Sequence, residues 1–191
     1  MDYAAVAIAA LIVSALALYS GFGLGTLLMP VFALFFPIPI AVASTAAVHL
    51  ANNVFRVAIV GRGADWKIVW IFGLPAAALA VPGAFLLVHI ADMAPLASYS
   101  IGERGFDVTA VKLVVSLLIL GFAAFELIPS LRTVEFPRKW VALGGALSGF
   151  FGGLSGHQGA LRSAVLAKAN LDTASFVGTV SICAFMVDIS R

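Results

Sequence analysis

Charge is what this chain has least of. Only 10% of its 191 residues are Asp, Glu, Lys or Arg, against about 25% in a soluble domain. Too few charged side chains are present to clothe a water-facing surface. With 62% hydrophobic residues and a mean hydropathy of +1.11, the composition excludes an ordinary soluble domain. The formal net charge is +2 and no basic run occurs, so the electrostatic footprint of a nucleic-acid binder is missing. Cysteine is nearly missing too. Cys183 stands alone in an apolar stretch, which excludes an intrachain disulfide. There is no His-Glu-x-x-His, no Cys-x-x-Cys and no Walker-type loop. Ser155, within Gly153-Leu154-Ser155-Gly156, lacks the spacing of a nucleophile elbow. The sequence therefore reads as no enzyme, with no metal and no cofactor.

What the chain does have is apolar length. A membrane span needs about 20 apolar residues. Residues 40–61, 68–90 and 108–128 each reach that length, 140–167 is long and glycine-broken, and 174–191 is a further stretch. Residues 3–36 are too long for one simple span. They read as a helix, a glycine break at Gly21, Gly23 and Gly25, and a half-helix from Thr26 to Phe36 stopped by Pro37 and Pro39. The N-terminal stretch looks like a signal peptide, but the charge ahead of it is Asp2 rather than lysine or arginine, so it reads as a retained helix. The prediction is an all-α, polytopic membrane protein of about six transmembrane helices plus glycine-broken half-helices, in a single membrane domain, 1–191.

The loops suggest an orientation. Residues 62–67 hold Arg62 and Lys67 against Asp65, and residues 129–139 hold Arg132, Arg138 and Lys139 against Glu135. Residues 91–107 hold Asp92, Glu103 and Asp107 against Arg104 alone. The two basic loops are expected on the cytoplasmic side and the acidic connection outside. Trp66 and Trp140, at span ends, suit the aromatic belt.

The chain also repeats itself. Residues 18–30 and 148–162 are glycine-rich breaks in an apolar helix, each followed by a short apolar helix, a turn and another span. Each following span carries a polar pair at one spacing, Asn53-x-x-Arg56 and Asp188-x-x-Arg191. The first repeat covers 1–139. The second, 140–191, is incomplete, and Arg162 and Lys168 beside its turn favour an inverted relation. Paired broken helices are the sequence mark of a transporter site.

A helix break inside a membrane survives only where protein or a watery cavity satisfies the backbone. A half-helix after the break offers free N–H groups and a positive dipole end, which suits an anion. Gly21, Gly23 and Gly25 in the first copy, and Gly152, Gly153, Gly156 and Gly159 in the second, are the expected break glycines. The bland alternative for each is close helix packing through small residues. The second break adds Ser155, His157, Gln158 and Arg162. Gln158 and Arg162 lie four apart, on one helical face, and arginine offers a planar fork for oxyanions. For Arg162 the alternative is snorkelling to the interface, and for His157 a plain hydrogen-bonded histidine. His49, Asn53, Arg56, Asp188 and Arg191 are candidates for a coupling or counter-charge role. Arg56 also suits an interfacial position, as do Lys112, Glu126 and His89.

These pieces resemble the TauE/SafE family of sulfite exporter-like membrane proteins. The resemblance rests on residues 20–25 with Pro30, on Ala41-Val42-Ala43-Ser44-Thr45, on the short loop 61–67, on 149–163 and on 187–191. It covers essentially the whole chain, and the stretch 149–163 is its most specific part. The chain departs from the family pattern where Arg162 stands near the place of a proline. The family's members usually continue for about two more helices. The resemblance implies transport or export of small sulfur-containing or organic anions across the bacterial inner membrane. The residues expected at the substrate, from the two glycine breaks, are Gly21, Gly23, Gly25, Pro30, Gly153, Ser155, Gly156, His157, Gln158 and Arg162. The implied partners are a small anion and the lipid bilayer, with a homo-oligomer left open. The competing reading is a non-transporting membrane scaffold whose polar groups only join helices.

Overall fold

The computed structural model describes residues 7–8, 10–13, 24–128, 130 and 137–191, without the side chains at 24–26, 104, 125–126, 138 and 168. Most of the expected N-terminal helix, with Gly21 and Gly23, lies outside the described residues.

Residues 7–8 and 10–13 are helical, and the next described helix, α1, is Leu24–Ala33. It unwinds over residues 34–36, where the Phe35 and Phe36 N–H groups both return to the Phe32 carbonyl. Pro37 is the N-cap of α2, Ile38–Val60. Pro39 therefore begins the second helix rather than stopping the first, because a proline in the first helical turn gives up only an N–H that is already unpaired. A 3-10 turn, Gly61–Gly63, leads to Asp65, whose carboxylate caps α3 by accepting from the Ile68 N–H at 3.1 Å. Helix α3 runs over Trp66–Ala91 and contains one π-helical turn, Val69–Gly73.

The acidic connection is ordered as a β-hairpin, an element the sequence reading lacked. Strands β1, Ala97–Ile101, and β2, Arg104–Val108, pair antiparallel about Gly102, which has φ +63°. Tyr99 stacks on Phe106 across the ladder with ring centres 5.5 Å apart. Helix α4, Ala110–Leu127, follows, capped by Thr109. Then come α5, Val141–Ser155, α6, Gly159–Leu166, and α7, Thr173–Ser190.

Three of the described helices are long and apolar enough to cross a membrane: Ile38–Gly63, Trp66–Ala91 and Thr173–Ser190. Ala110–Ala124 and Val141–Ser155 are shorter apolar helices. The expected glycine-broken span 140–167 does not continue in one direction. It doubles back: Gly144 packs on Val165, and Ser148 and Gly152 pack on Gln158. At about 1.5 Å per residue, α5 travels about 22 Å before the chain reverses.

The distribution of polarity is that of a protein turned inside out. Phe85, Leu34 and Phe55 are 74%, 80% and 67% exposed, while Asn53, Ser148, His157, Gln158, Arg162, Thr179 and Asp188 are buried. Apolar side chains facing outward and polar ones gathered inward suit a hydrocarbon solvent. Asp65 N–H donates to Thr179 Oγ1 at 2.9 Å, and Gly63 and Ala174 are neighbours, so the start of α7 lies beside the turn between α2 and α3.

The tightest helix contact is between α3 and α5, and glycines make it. Gly145, Gly149 and Gly153 lie against the carbonyl oxygens of Phe72, Ala76 and Ala80, and Gly83 lies against that of Phe150. The spacing of four residues on both helices keeps one small stripe on the other for three turns. A side chain on any of these glycines would run into main chain.

Candidate functional site

The break between α5 and α6 is three residues long, and its geometry comes from Gly156. This residue has φ +78° and ψ −2°, a left-handed conformation, and its N–H closes the helix on the Gly152 carbonyl at 2.9 Å. That is the helix end a glycine makes without steric penalty. Gly152 and Gly153, expected in the break, are continuous α5 helix. Gly153 belongs to the stripe on Ala80, because helix continues wherever its hydrogen bonds are unbroken, whatever its glycine content. Gly159 is the first residue of α6.

The polar residues of the break are tied down from several sides. Ser155 Oγ donates to the Phe151 carbonyl at 2.9 Å. His157 Nδ1 lies 2.8 Å from the Ser155 carbonyl, which can only accept, so Nδ1 carries the proton; the ring stacks on Phe122. The Gln158 carbonyl accepts from Ser148 Oγ at 3.2 Å and from the Arg162 N–H at 3.0 Å. Gln158 is thus both the last residue of the break and the anchor of the first turn of α6.

From this turn the Gln158 side chain reaches Asp188. Gln158 Nε2 donates to Asp188 Oδ1 at 3.3 Å, and Asn53 Nδ2 donates to Asp188 Oδ2 at 2.7 Å. Arg191 Nη2 pairs with Asp188 Oδ1 at 2.7 Å, and its Nη1 donates to the Gly152 carbonyl. One buried carboxylate therefore joins α2, the break and α7, and its arginine joins the end of α5. The two polar pairs matched by spacing in the sequence meet here through Asn53 and Asp188. Asn53 is buried and Arg56, a turn away, is exposed.

Arg162 is the odd member. It is 9% exposed, and its Nε and Nη1 find no hydrogen-bond partner among the described residues. Its charged neighbours are Asp188, Arg56 and Arg191. His49, with Nε2 also unpartnered among the described residues, feels the charges of Arg191 and Arg162. Asp188 is committed to Arg191 by direct contact, so among the described residues Arg162 has no carboxylate of its own. Buried donors without acceptors are costly, and here the donors are a guanidinium, whose fork matches an oxyanion.

Of the predicted residues, Ser155, Gly156, His157, Gln158, Arg162, Asn53, Asp188 and Arg191 come together, with His49 alongside. Gly25 and Pro30 lie in α1, away from this knot in sequence and not bonded to it among the described residues. The first half-helix still approaches the second break: Met29 shares a hydrophobic cluster with Val42 and Leu154, and Val42 also lies against Gly156. The sequence reading missed Ser148 as an anchor of Gln158. It also missed the Gly152 carbonyl, which no side-chain pattern reveals. A cavity of about 540 Å³ lies elsewhere, between Ile59, Val60 and Gly63 and the start of α7 at Thr173, Ala174 and Val177. It is apolar and sits at the opposite end of α7 from Asp188. Among the described residues no three His, Cys, Asp or Glu are placed to hold a metal ion.

What the geometry offers is a charged, glycine-closed helix break inside an apolar bundle, suited to holding an anion. No match to this chain was found among curated proteins or among solved structures. One family, described as Sulfite exporter TauE/SafE, matches residues 6–191, so the chain belongs to the TauE/SafE family of anion exporter-type membrane transporters.

Proposed function

We propose that this chain is a secondary transporter or exporter of a small anion, such as sulfite, an organosulfonate or a similar organic anion, in a bacterial inner membrane. The observation that carries this reading is the Arg162 guanidinium, buried, without a hydrogen-bond partner at Nε and Nη1 among the described residues, and set in the first turn of a half-helix after a left-handed break. An anion there gains the guanidinium and the free N–H groups at the start of α6. The scaffold reading accounts for Gly145, Gly149 and Gly153, which only pack helices. It gives no reason to bury a guanidinium whose Nε and Nη1 find no partner among the described residues.

The test is flux in proteoliposomes with a panel that includes sulfite and methanesulfonate. Arg162→Lys keeps the charge and loses the fork, and should lower flux at least tenfold with folded yield intact. Arg162→Ala should abolish flux. Wild-type flux in Arg162→Ala would remove this residue from the site and return the scaffold reading to first place.

A further inference from the structure

A carboxylate only accepts hydrogen bonds, whereas a carboxylic acid must also donate one. Among the described residues the hydrogen-bond partners of Asp188 are all donors: Asn53 Nδ2 on one oxygen, and Gln158 Nε2 and Arg191 Nη2 on the other. It is 4% exposed, so no bulk water is at hand to absorb a change in its state. If Asp188 takes up a proton, its O–H needs an acceptor. The two amides can supply one by rotating so that a side-chain oxygen replaces the NH₂ group. For Asn53, in the middle of α2, the rotation stays local. For Gln158 it does not. The main-chain carbonyl of Gln158 accepts from the Arg162 N–H and from Ser148 Oγ, so this residue carries the first turn of α6 on its backbone and reads Asp188 with its side chain.

Charge works in the same direction. Ionised, Asp188 neutralises Arg191 and lies within the field of Arg162; protonated, it leaves both guanidiniums uncompensated. Among the described residues the charges acting on the carboxylate are those of Arg191 and Arg162. The further ionisable groups around the knot are His49 and Arg56 from α2, His157 from the break and Cys183 from α7, none of them a second carboxylate. Helix α5 contributes the Gly152 carbonyl. Helix α3 has its only ionisable side chains, Lys67 and His89, near its ends.

We propose that Asp188 is the proton-coupling site of this transporter, and that Gln158 links its protonation to anion binding at Arg162. One proton then travels with each monovalent anion: the proton adds to Asp188 as the anion arrives and leaves on the other side with it. This rests on the transporter reading, and the experiment separates the two.

The probe is methanesulfonate, a strong-acid anion that carries no proton of its own near neutral pH. Wild-type proteoliposomes with an entrapped pH indicator and a clamped membrane potential should acidify inside as methanesulfonate enters, at about one proton per anion. In Asp188→Asn the remaining anion entry should bring a ratio near zero. Asp188→Glu should restore part of it, and His89→Gln, at the exposed end of α3 and outside the knot, should keep it at about one. Wild-type entry without acidification overturns the coupling and leaves the transporter intact, with no variant needed. Coupling that survives in Asp188→Asn, or that is lost in His89→Gln alone, also overturns it. Absence of flux for every anion in the panel overturns both readings.

Discussion

Helix α5 and the break that ends it use glycine in two opposite ways a few residues apart. At Gly145, Gly149 and Gly153 the missing side chain is what matters: α3 lies so close that a Cβ would meet main chain. At Gly156 space is ordinary, with Arg191 and Val42 at 3.8 Å from where a Cβ would sit, and the backbone angle is what matters. One set of glycines builds a rigid pair of helices, and the other ends a helix next to a charge. The difference teaches that a glycine-rich membrane motif has to be divided by geometry before any of it is assigned to a substrate.

That division has a strong test. Gly149→Val forces two backbones apart, and overpacking of a close-packed contact costs about 1–3 kcal/mol or more. The expected result is loss of the folded, monodisperse fraction, with Gly153→Val behaving alike. Normal folding with lost flux in Gly153→Val would place it in the site instead. Gly156→Ala should be milder. A left-handed L-residue costs about 1–2 kcal/mol, seen as a lower melting temperature, and a shift of the break should reduce flux more than folded yield. Equal losses in both would erase the distinction between stripe and break.

The smallest effect lies outside both regions, at the N-cap of α7. Asp172 accepts from the Ser175 N–H at 2.9 Å and from its hydroxyl at 3.1 Å, and these bonds hold its carboxyl below the usual range. Its contribution is therefore present above the ordinary aspartate range and fades as pH falls through the lowered value. Asp172→Asn should keep the cap and lose this acid dependence. The measurement is hydrogen exchange at the first turn of α7, where only the wild type should fray faster on acidification.

Three of the expected spans, at residues 40–61, 68–90 and 174–191, were legible because hydropathy and length act residue by residue. The shared spacing of Asn53-x-x-Arg56 and Asp188-x-x-Arg191 was legible, but the bond from Asn53 to Asp188 was not, since spacing within one helix does not say which helix lies opposite. The hairpin at 97–108 was not, because it depends on pairing across Gly102 in a stretch without long apolar alternation. The placing of Gly153 was not legible either. Both a break and a close crossing demand a missing side chain, and only the partner helix decides between them. The four-residue spacing of Gly145, Gly149 and Gly153 was the available clue.

The π-helical turn at Val69–Gly73 has a consequence for how this helix tolerates length changes. Such a turn is an α-helix holding one surplus residue. Elsewhere in α3, losing a residue would rotate everything beyond it by about 100°, and Ala76, Ala80 and Gly83 would no longer face α5. Inside the π turn the same loss restores a regular helix and leaves both flanks in phase. Phe72 is fully buried there, while Trp70 and Ile71 face outward. Trp70 and Ile71 are therefore the places where α3 can shorten by one residue and still present the same stripe to its neighbour.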